Sequence, residues 1–113
     1  PLKGEGVSNT IRAAVANWAK TLSFELGGFG ITVNNVLPST AMTGRLQALI
    51  MNRADKEEKT LEQVERDMTA EIPAGRIGTA EDVAAAIAFL ASPAADYING
   101  INLPVDGGKT PNL

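Results

Sequence analysis

Cysteine and histidine are both absent from the 113 residues of this chain. Without thiols, neither disulfides nor thiolate metal sites can form. Without imidazole, a Ser-His-Asp triad and nearly all zinc sites are excluded, together with the usual general base. We therefore expect no metal site. The compartment is not fixed by these absences, and the cytoplasm is the default expectation.

Long apolar runs and clusters of like charge are absent as well. The net charge is -3, and the ten Lys and Arg residues are scattered. This argues against a nucleic-acid surface or a polybasic membrane anchor. No apolar run approaches the length needed to span a bilayer, and no signal-peptide pattern is present. The composition, 44% apolar and 20% charged, is typical of one small globular domain.

The stretch GITVNNVLPSTAMT, residues 30–43, organises the rest of the sequence. Its apolar, β-branched run Ile31–Leu37 lies between a glycine and Pro38, which predicts a strand buried on both faces, as in a parallel sheet. Ligands of such sheets bind outside the carboxyl ends of the strands. The small and polar segment Ser39–Thr43 is therefore the first place to look for chemistry.

Two amides, Asn34 and Asn35, interrupt this apolar strand. A buried amide must find hydrogen-bond partners. Either at least one of them binds the strand's backbone to a neighbouring loop, or one simply lies at the rim of the sheet. The sequence leaves both interpretations open.

A long helix, Ser8–Leu26, is predicted before the strand. Ser8, Asn9 and Thr10 are all good N-cap residues. Apolar residues then recur at spacings of four, three, four and four, which defines one helix face that we expect to be buried. The residues on this face are Ile11, Val15, Trp18, Leu22 and Leu26.

Residues 43–71 are the most polar region, and two short amphipathic helices are predicted there, joined by a solvated bend at Asp55–Lys59. The apolar positions of the first are Leu46, Leu49, Ile50 and Ala54, and those of the second are Leu61, Val64, Met68 and Ile72. Two helices inserted after an active-site loop resemble a lid over a pocket. Surface helices without that role fit the composition equally well.

A further helix is predicted from Thr79, its N-cap, to Ser92-Pro93, with two acids in the first turn where the helix dipole favours them. Its expected buried stripe consists of Val83, Ile87, Leu90 and Ala91.

The last strand is predicted over residues 101–105, where apolar residues alternate and Pro104 occupies the other face. Proline cannot donate to a ladder, so this strand should lie at the edge of the sheet. The chain begins at Pro1, and a lone parallel strand cannot satisfy its ladder hydrogen bonds. We therefore expect residues 1–113 to be the carboxyl-terminal portion of a single larger α/β domain, without its amino-terminal half.

Four segments resemble, in order and spacing, the carboxyl-terminal half of the short-chain dehydrogenase/reductase family, in particular its 3-oxoacyl-acyl-carrier-protein reductases. The resemblance covers about residues 7–108. Its segments are the helix end LSFEL; GITVNNVLPSTAMT; PAGRIG followed by EDVA; and FLAS through YING to VDGG.

The resemblance implies an α/β fold, the carboxyl-terminal part of a doubly wound Rossmann-like parallel sheet, in the order helix, strand, two lid helices, helix, edge strand. It implies NAD or NADP as cofactor and hydride transfer to or from a small-molecule carbonyl or alcohol. The loop after Pro38 is expected along the nicotinamide, with carboxamide contacts from the backbone near Ala41 and the hydroxyl of Thr43. Ser39 stands where the family usually has glycine, which restricts the backbone.

The family's catalytic tyrosine and lysine fall on Ser8 and Arg12 of this sequence. In the family, the tyrosine donates a proton while the lysine lowers its pKa and holds the nicotinamide ribose. A phenol begins near a pKa of about 10, within reach of tuning, whereas an aliphatic hydroxyl is a far weaker acid. Ser8 is therefore interpreted first as an N-cap. For Arg12, which cannot relay a proton, a ribose contact and a surface ion pair both remain open.

The glycine-rich phosphate-binding fingerprint is missing too, since Gly27-Gly28-Phe29-Gly30 follows a helix and precedes a strand, the reverse of the required context. We expect a portion of an NAD(P)-dependent oxidoreductase that is inactive in isolation. In the intact protein, we expect an ordered water held by Ser8 to replace the missing acid. Two alternatives are a non-catalytic relative kept for binding or assembly, and a truncated fragment without a function of its own.

The only tyrosine, Tyr97, lies in the turn before the last strand, where the resemblance implies a structural residue. The helix Ser8–Leu26 and the last helix and strand are the surfaces through which family members form dimers and tetramers. The resemblance therefore implies a homo-oligomer.

Overall fold

The computed structural model describes residues 4–111, so the ends of the predicted domain 1–113 lie outside the described residues. The described residues divide into two compact units: unit 1 comprises residues 4–36 and 88–103, and unit 2 comprises residues 37–87 and 104–111. The elements in chain order are α1 (Gly6–Gly27), β1 (Asn35–Pro38), α2 (Gly44–Glu57), α3 (Leu61–Ala70), α4 (Ala80–Leu90), a short 3-10 helix (Pro93–Ala95) and β2 (Asn102–Val105).

In unit 1, α1 begins earlier than predicted. Its first helical residue is Gly6, and Glu5 occupies the N-cap position, so the interpretation of Ser8 as the N-cap is wrong. The predicted caps bond inside the helix instead: Thr10 Oγ1 donates to the carbonyl of Gly6 (2.9 Å), and Ser8 Oγ accepts from Arg12. The hydroxyls of Ser8 and Thr10 therefore bond to groups inside α1 and do not cap the amides of its first turn.

The predicted buried face of α1 is largely exposed. The first three residues of the stripe are at least half exposed: Ile11, Val15 and Trp18. The buried residues of α1 are the small ones, Ala19 and Ser23. Gly100 comes so close that a Cβ built on it would lie 2.6 Å from Ser23 Oγ. The packed face of α1 within unit 1 is therefore its small face, which allows this close approach.

β1 and β2 are neighbours in a two-stranded sheet, and their hydrogen bonds run in the parallel sense. The amide of Asn35 donates to the carbonyl of Ile101 (2.9 Å), and the amide of Ser39 donates to that of Val105 (3.4 Å). The α/β class with a parallel strand pair is thus confirmed. The predicted strand Ile31–Leu37 is displaced, however, and burial of both faces is wrong: two residues of β1 are half-buried and two exposed. Helices bury the faces of a parallel strand, and among the described residues no helix packs extensively on β1.

Side-chain amides replace ladder bonds at the start of this strand pair. Asn34 Nδ2 donates to the carbonyl of Ile98 (2.8 Å), and Asn34 Oδ1 accepts from the amide of Ile101 (3.2 Å). Asn99 Oδ1 accepts from the amide of Val33 (2.8 Å). Of the two interpretations that the sequence left open, the structure shows the first: Asn34, which directly precedes β1, binds the backbone of the loop before β2.

In unit 2, α2 and α3 form a helical hairpin. Its hydrophobic cluster consists of Leu46, Ile50, Ala54, Val64 and Met68. All five are apolar positions of the two predicted helices, so the two-helix prediction is confirmed. The bend lies at residues 58–60 and so overlaps only the end of the predicted bend Asp55–Lys59, because α2 continues to Glu57 and Thr60 then caps α3 in a capping box with Gln63.

α4 begins where predicted, since Thr79 Oγ1 accepts from the amide of Asp82 (3.2 Å). Its predicted buried stripe is wrong: no described residue of α4 is buried, and Ile87 is 51% exposed. Periodicity shows which face of a helix is apolar, but not whether another element covers it. The alternation predicted for the last strand is confirmed, with half-buried and exposed residues alternating along β2.

Glu58 tests the strain in the helical hairpin. Among residues 4–111 it is the one non-glycine residue with positive φ, at 52°, a conformation that costs a residue with a Cβ about 1–2 kcal/mol. Glycine adopts it freely but loses more entropy on folding. We therefore expect Glu58→Gly to raise the free energy of unfolding by roughly 0.5–1 kcal/mol, measured by urea denaturation.

The matched control is Glu58→Ala, which removes the same charge but keeps the Cβ. An equal gain in stability from both variants would show that charge, not backbone strain, is responsible.

Candidate functional site

The loop after β1 contains most of the predicted cofactor residues and belongs to unit 2. Pro38 ends β1, and the exposed Ser39 uses its amide to bond Val105. Ala41 forms an isolated parallel bridge with Gly78. Thr43 ends the loop as the N-cap of α2. Pro38 has no amide hydrogen and the amide of Ser39 is already bonded, which leaves the backbone of Ala41 and the hydroxyls of Ser39 and Thr43 as groups suited to a ligand.

Gly78 determines which way Ala41 faces. The amide of Gly78 donates to the carbonyl of Thr40 (3.0 Å), and its carbonyl accepts from the amide of Met42 (2.8 Å). The residue between these two bonds directs its own N–H and C=O to the opposite side, and no group among residues 4–111 bonds to them. A Cβ on Gly78 would lie 3.3 Å from the Thr40 carbonyl oxygen, so the close approach favours glycine.

A donor and an acceptor on one residue complement a carboxamide, which presents one NH₂ group and one carbonyl oxygen. Ala41 offers this pair. The hydroxyl of Thr43 accepts from the amide of Leu46 (3.3 Å), so its own hydrogen remains available to donate. The residues present therefore fit the nicotinamide carboxamide expected from the sequence.

The turn that carries Gly78 is fixed by Asp82. Its carboxylate accepts from Arg76 Nη1 (2.6 Å) and Nη2 (2.9 Å) and from the amide of Thr79 (2.8 Å). The hydrogen bond from Arg76, followed by that from the Thr79 backbone, holds the pKa of Asp82 far below its usual value. The ionised carboxylate thus links the start of α4 to the turn at Gly78.

Ser8 and Arg12 lie one turn apart on α1 and are brought together in unit 1. Arg12 Nε donates to Ser8 Oγ at 3.2 Å. The serine oxygen is the acceptor, so its hydrogen is free to donate to another oxygen. Among residues 4–111, no carboxylate lies within ion-pair distance of Arg12. The surface ion pair that the sequence left open is therefore not formed within the described chain.

Two residues near the loop were not assigned a role from the sequence. Gly78 belongs to the PAGRIG segment, but a single glycine does not reveal its bridge partner. Lys109 contacts Thr40 and Glu71, and no sequence spacing indicates such a contact.

Tyr97 lies in the predicted turn, but it is 100% exposed, which excludes a packed structural role among the described residues.

No helix within residues 4–111 combines the length and the apolar character needed to cross a bilayer. The same residues contain no group of three or more Asp or Glu side chains arranged to hold a metal ion.

Comparison with known proteins identifies the family. A family model described as Enoyl-(Acyl carrier protein) reductase matches residues 2–110. Cyclohexanol dehydrogenase from Rhodococcus sp. (strain TK6) is 40% identical over 99 residues, covering 88% of this chain and 33% of that protein. The 3-oxoacyl-[acyl-carrier-protein] reductase FabG from Vibrio cholerae is 38% identical over 97 residues, covering 86% and 35%.

A solved structure agrees with these matches. YwfH, described as an NADPH-dependent reductase involved in bacilysin biosynthesis, is similar to this chain with a TM-score of 0.91 and 33% identity, covering 100% of this chain and 43% of that one. The chain thus spans between a third and a half of the length of these relatives.

The chain belongs to the short-chain dehydrogenase/reductase family, and its α/β fold is that of the family's Rossmann-like reductases. The resemblance predicted from the sequence is confirmed. A nicotinamide cofactor is likewise confirmed at the level of the family, since the structural relative is an NADPH-dependent reductase.

Asp82 makes the stability of the fold depend on pH in the acid range. Because its pKa is lowered in the folded state, its contribution to stability is present above the unfolded value of about pH 4 and is lost as the pH falls below it. We expect the urea midpoint of the chain to decrease between neutral pH and pH 3 or so, and Asp82→Asn to make that decrease smaller.

Glu81→Gln is the matched control, because Glu81 occupies the same helical turn and forms no ion pair with any residue of the described range 4–111. If both variants changed the acid dependence equally, the contact between Asp82 and Arg76 would not be its source.

Proposed function

We propose that this chain supplies the nicotinamide-binding part of an NAD(P)-dependent oxidoreductase that reduces a small-molecule carbonyl or oxidises an alcohol. The observation that carries the proposal is the backbone of Ala41, whose N–H and C=O face away from Gly78 without a partner among residues 4–111. Family membership, and relatives described as dehydrogenases and reductases, support the choice of cofactor and reaction.

In this proposal the loop after β1 orients the cofactor. The N–H of Ala41 donates to the carboxamide oxygen, its C=O accepts from the carboxamide nitrogen, and the hydroxyl of Thr43 donates a further hydrogen bond. Backbone groups held in place before binding lose little entropy when they bind. Holding the carboxamide determines which face of the nicotinamide ring is turned toward the substrate. When bound, the cofactor would supply or accept the hydride.

Ser8 and Arg12 provide the polar groups of unit 1. The Ser8 hydroxyl accepts from Arg12 and donates its own hydrogen to a substrate oxygen or to an ordered water. Neither an aliphatic hydroxyl nor a neutral water is an acid at neutral pH. We therefore propose that Ser8 holds a water that gives a proton to the strongly basic alkoxide of the substrate, and that the hydroxide left behind is reprotonated from bulk solvent. The remaining N–H groups of Arg12 suit the hydroxyls of a ribose.

A second function, cofactor binding without turnover, is favoured by the same pair. The bond from Arg12 to Ser8 gives these positions a satisfied side-chain contact, but neither residue is a tunable acid. A non-catalytic relative that binds NAD(P) or assembles with other chains would need no acid at these two positions.

We also propose that the protein forms a homo-oligomer. The exposed apolar residues of α1 support this, because contiguous exposed apolar surface promotes association. Sedimentation velocity would show a single monomeric species at all concentrations if the proposal is wrong.

The carboxamide contact is tested at Thr43. Thr43→Asp retains an N-cap acceptor for α2, but an ionised carboxylate has no hydrogen to donate. Loss of one net hydrogen bond should weaken NADPH binding by about two- to tenfold. The affinity is measured by titration of the fluorescence of the reduced nicotinamide.

Thr43→Ser is the control, because it keeps both the cap and the donor. Circular dichroism should show equal helix content in the two variants. Equal NADPH affinity for Thr43→Asp and Thr43→Ser would remove Thr43 from the proposed contact.

The first test of catalysis is an activity assay of the chain without substitutions. We expect the 113-residue chain alone to show no carbonyl-dependent oxidation of NADPH, followed by the absorbance of the reduced nicotinamide against a panel of ketones. Turnover by the isolated chain would contradict this expectation.

In a protein that contains this chain and has the length of its relatives, a low rate that Ser8→Ala abolishes would support a water held by the Ser8 hydroxyl. Cofactor binding without any turnover, together with turnover gained on Ser8→Tyr with Arg12→Lys, would instead assign the second function, a binding scaffold without an acid.

A further inference from the structure

We infer that Lys109 is a positioning residue for the loop that presents Ala41, an inference that rests on the proposed function of that loop. Its ammonium group contacts both segments that flank the α2–α3 hairpin. Nζ donates to Glu71 Oε2 at 3.0 Å and to Thr40 Oγ1 at 3.5 Å. Thr40 immediately precedes Ala41, and Glu71 immediately follows α3.

The turn that carries Lys109 is fixed from two sides. The carboxylate of Asp106, directly after β2, accepts from the amides of Gly108 and Thr110, each at 2.9 Å. The carbonyl of Gly107 accepts from the amide of Ala74 at 3.0 Å. The Lys109 side chain therefore projects from a held backbone, and it is only 30% exposed.

Gly78 and Lys109 bond different parts of the segment around Ala41. Gly78 holds the backbone of Thr40 and Met42, but it leaves the Thr40 side chain without a partner of its own. Lys109 fills that position and connects it to the end of α3 through Glu71. A 3.5 Å hydrogen bond and a partly exposed ion pair contribute little to global stability, so the consequence of this arrangement is local: it fixes the segment next to Ala41.

The experiment compares hydrogen exchange and cofactor binding in Lys109 variants of the protein. Lys109→Met should accelerate exchange of the Met42 and Gly78 amides by about two- to fivefold, while amides in the α2–α3 hairpin remain unchanged. NADPH affinity should fall by a similar factor. Lys109→Arg should restore both quantities, and Glu71→Gln should reproduce part of the loss.

Each outcome decides the inference. Unchanged exchange at Met42, or equal acceleration throughout unit 2, would overturn a positioning role, because the second result is general destabilisation. Selective acceleration with unchanged NADPH affinity would also overturn it, since the loop would then not be positioned for the cofactor. If the unmodified protein bound no NADPH, the proposed function would fail on that result alone, and exchange at Met42 would still decide whether Lys109 fixes the loop.

Discussion

Gly78 donates to the carbonyl of Thr40 and accepts from the amide of Met42, and this pair of hydrogen bonds determines the direction of the Ala41 backbone. The remaining features of unit 2 maintain it. Asp82 holds the turn on one side of Gly78 through Arg76 and Thr79. The hairpin core keeps α2 in place directly after the loop. A backbone donor and acceptor that are already oriented need not be reorganised when a ligand binds, which makes them an efficient binding device.

In unit 1, side-chain amides bond backbone N–H and C=O groups that neighbouring strands would bond in a wider sheet. Asn34 and Asn99 satisfy backbone groups next to the strand pair, where ladder bonds are missing. Asn99 also donates to the carbonyl of Ser23 at 2.9 Å, which joins the end of α1 to the turn before β2. Buried polar groups need partners, and these two residues supply them while α1 leaves its larger apolar side chains exposed.

The sequence predicted those features that depend on near neighbours along the chain. The hairpin, the Thr79 cap and the alternation of β2 follow from periodicity and capping, which are local rules. Burial of the apolar face of α1 that begins at Ile11, and of both faces of β1, was predicted wrongly, because burial depends on packing against elements that are distant in sequence. Ser8 was misassigned as a cap because several capping residues follow one another and the helix begins before all of them.

The site was predictable only in part, for a similar reason. The choice of Ala41 and Thr43 came from the family resemblance, and the structure adds a physical reason why their groups suit a carboxamide. Neither Gly78 as the bridge partner nor Lys109 as a contact of Thr40 could be inferred from spacing, since each pairs with a residue far away in the chain.

The most direct test follows the backbone amide resonances of the isotopically labelled protein during titration with NADPH, with the adenosine half of the cofactor as the control ligand. If the carboxamide binds as proposed, the Ala41 amide shifts strongly with NADPH and not with the control. The Met42 amide, already bonded to Gly78, shifts little. Saturable NADPH binding that leaves the Ala41 amide unchanged would contradict the proposed site.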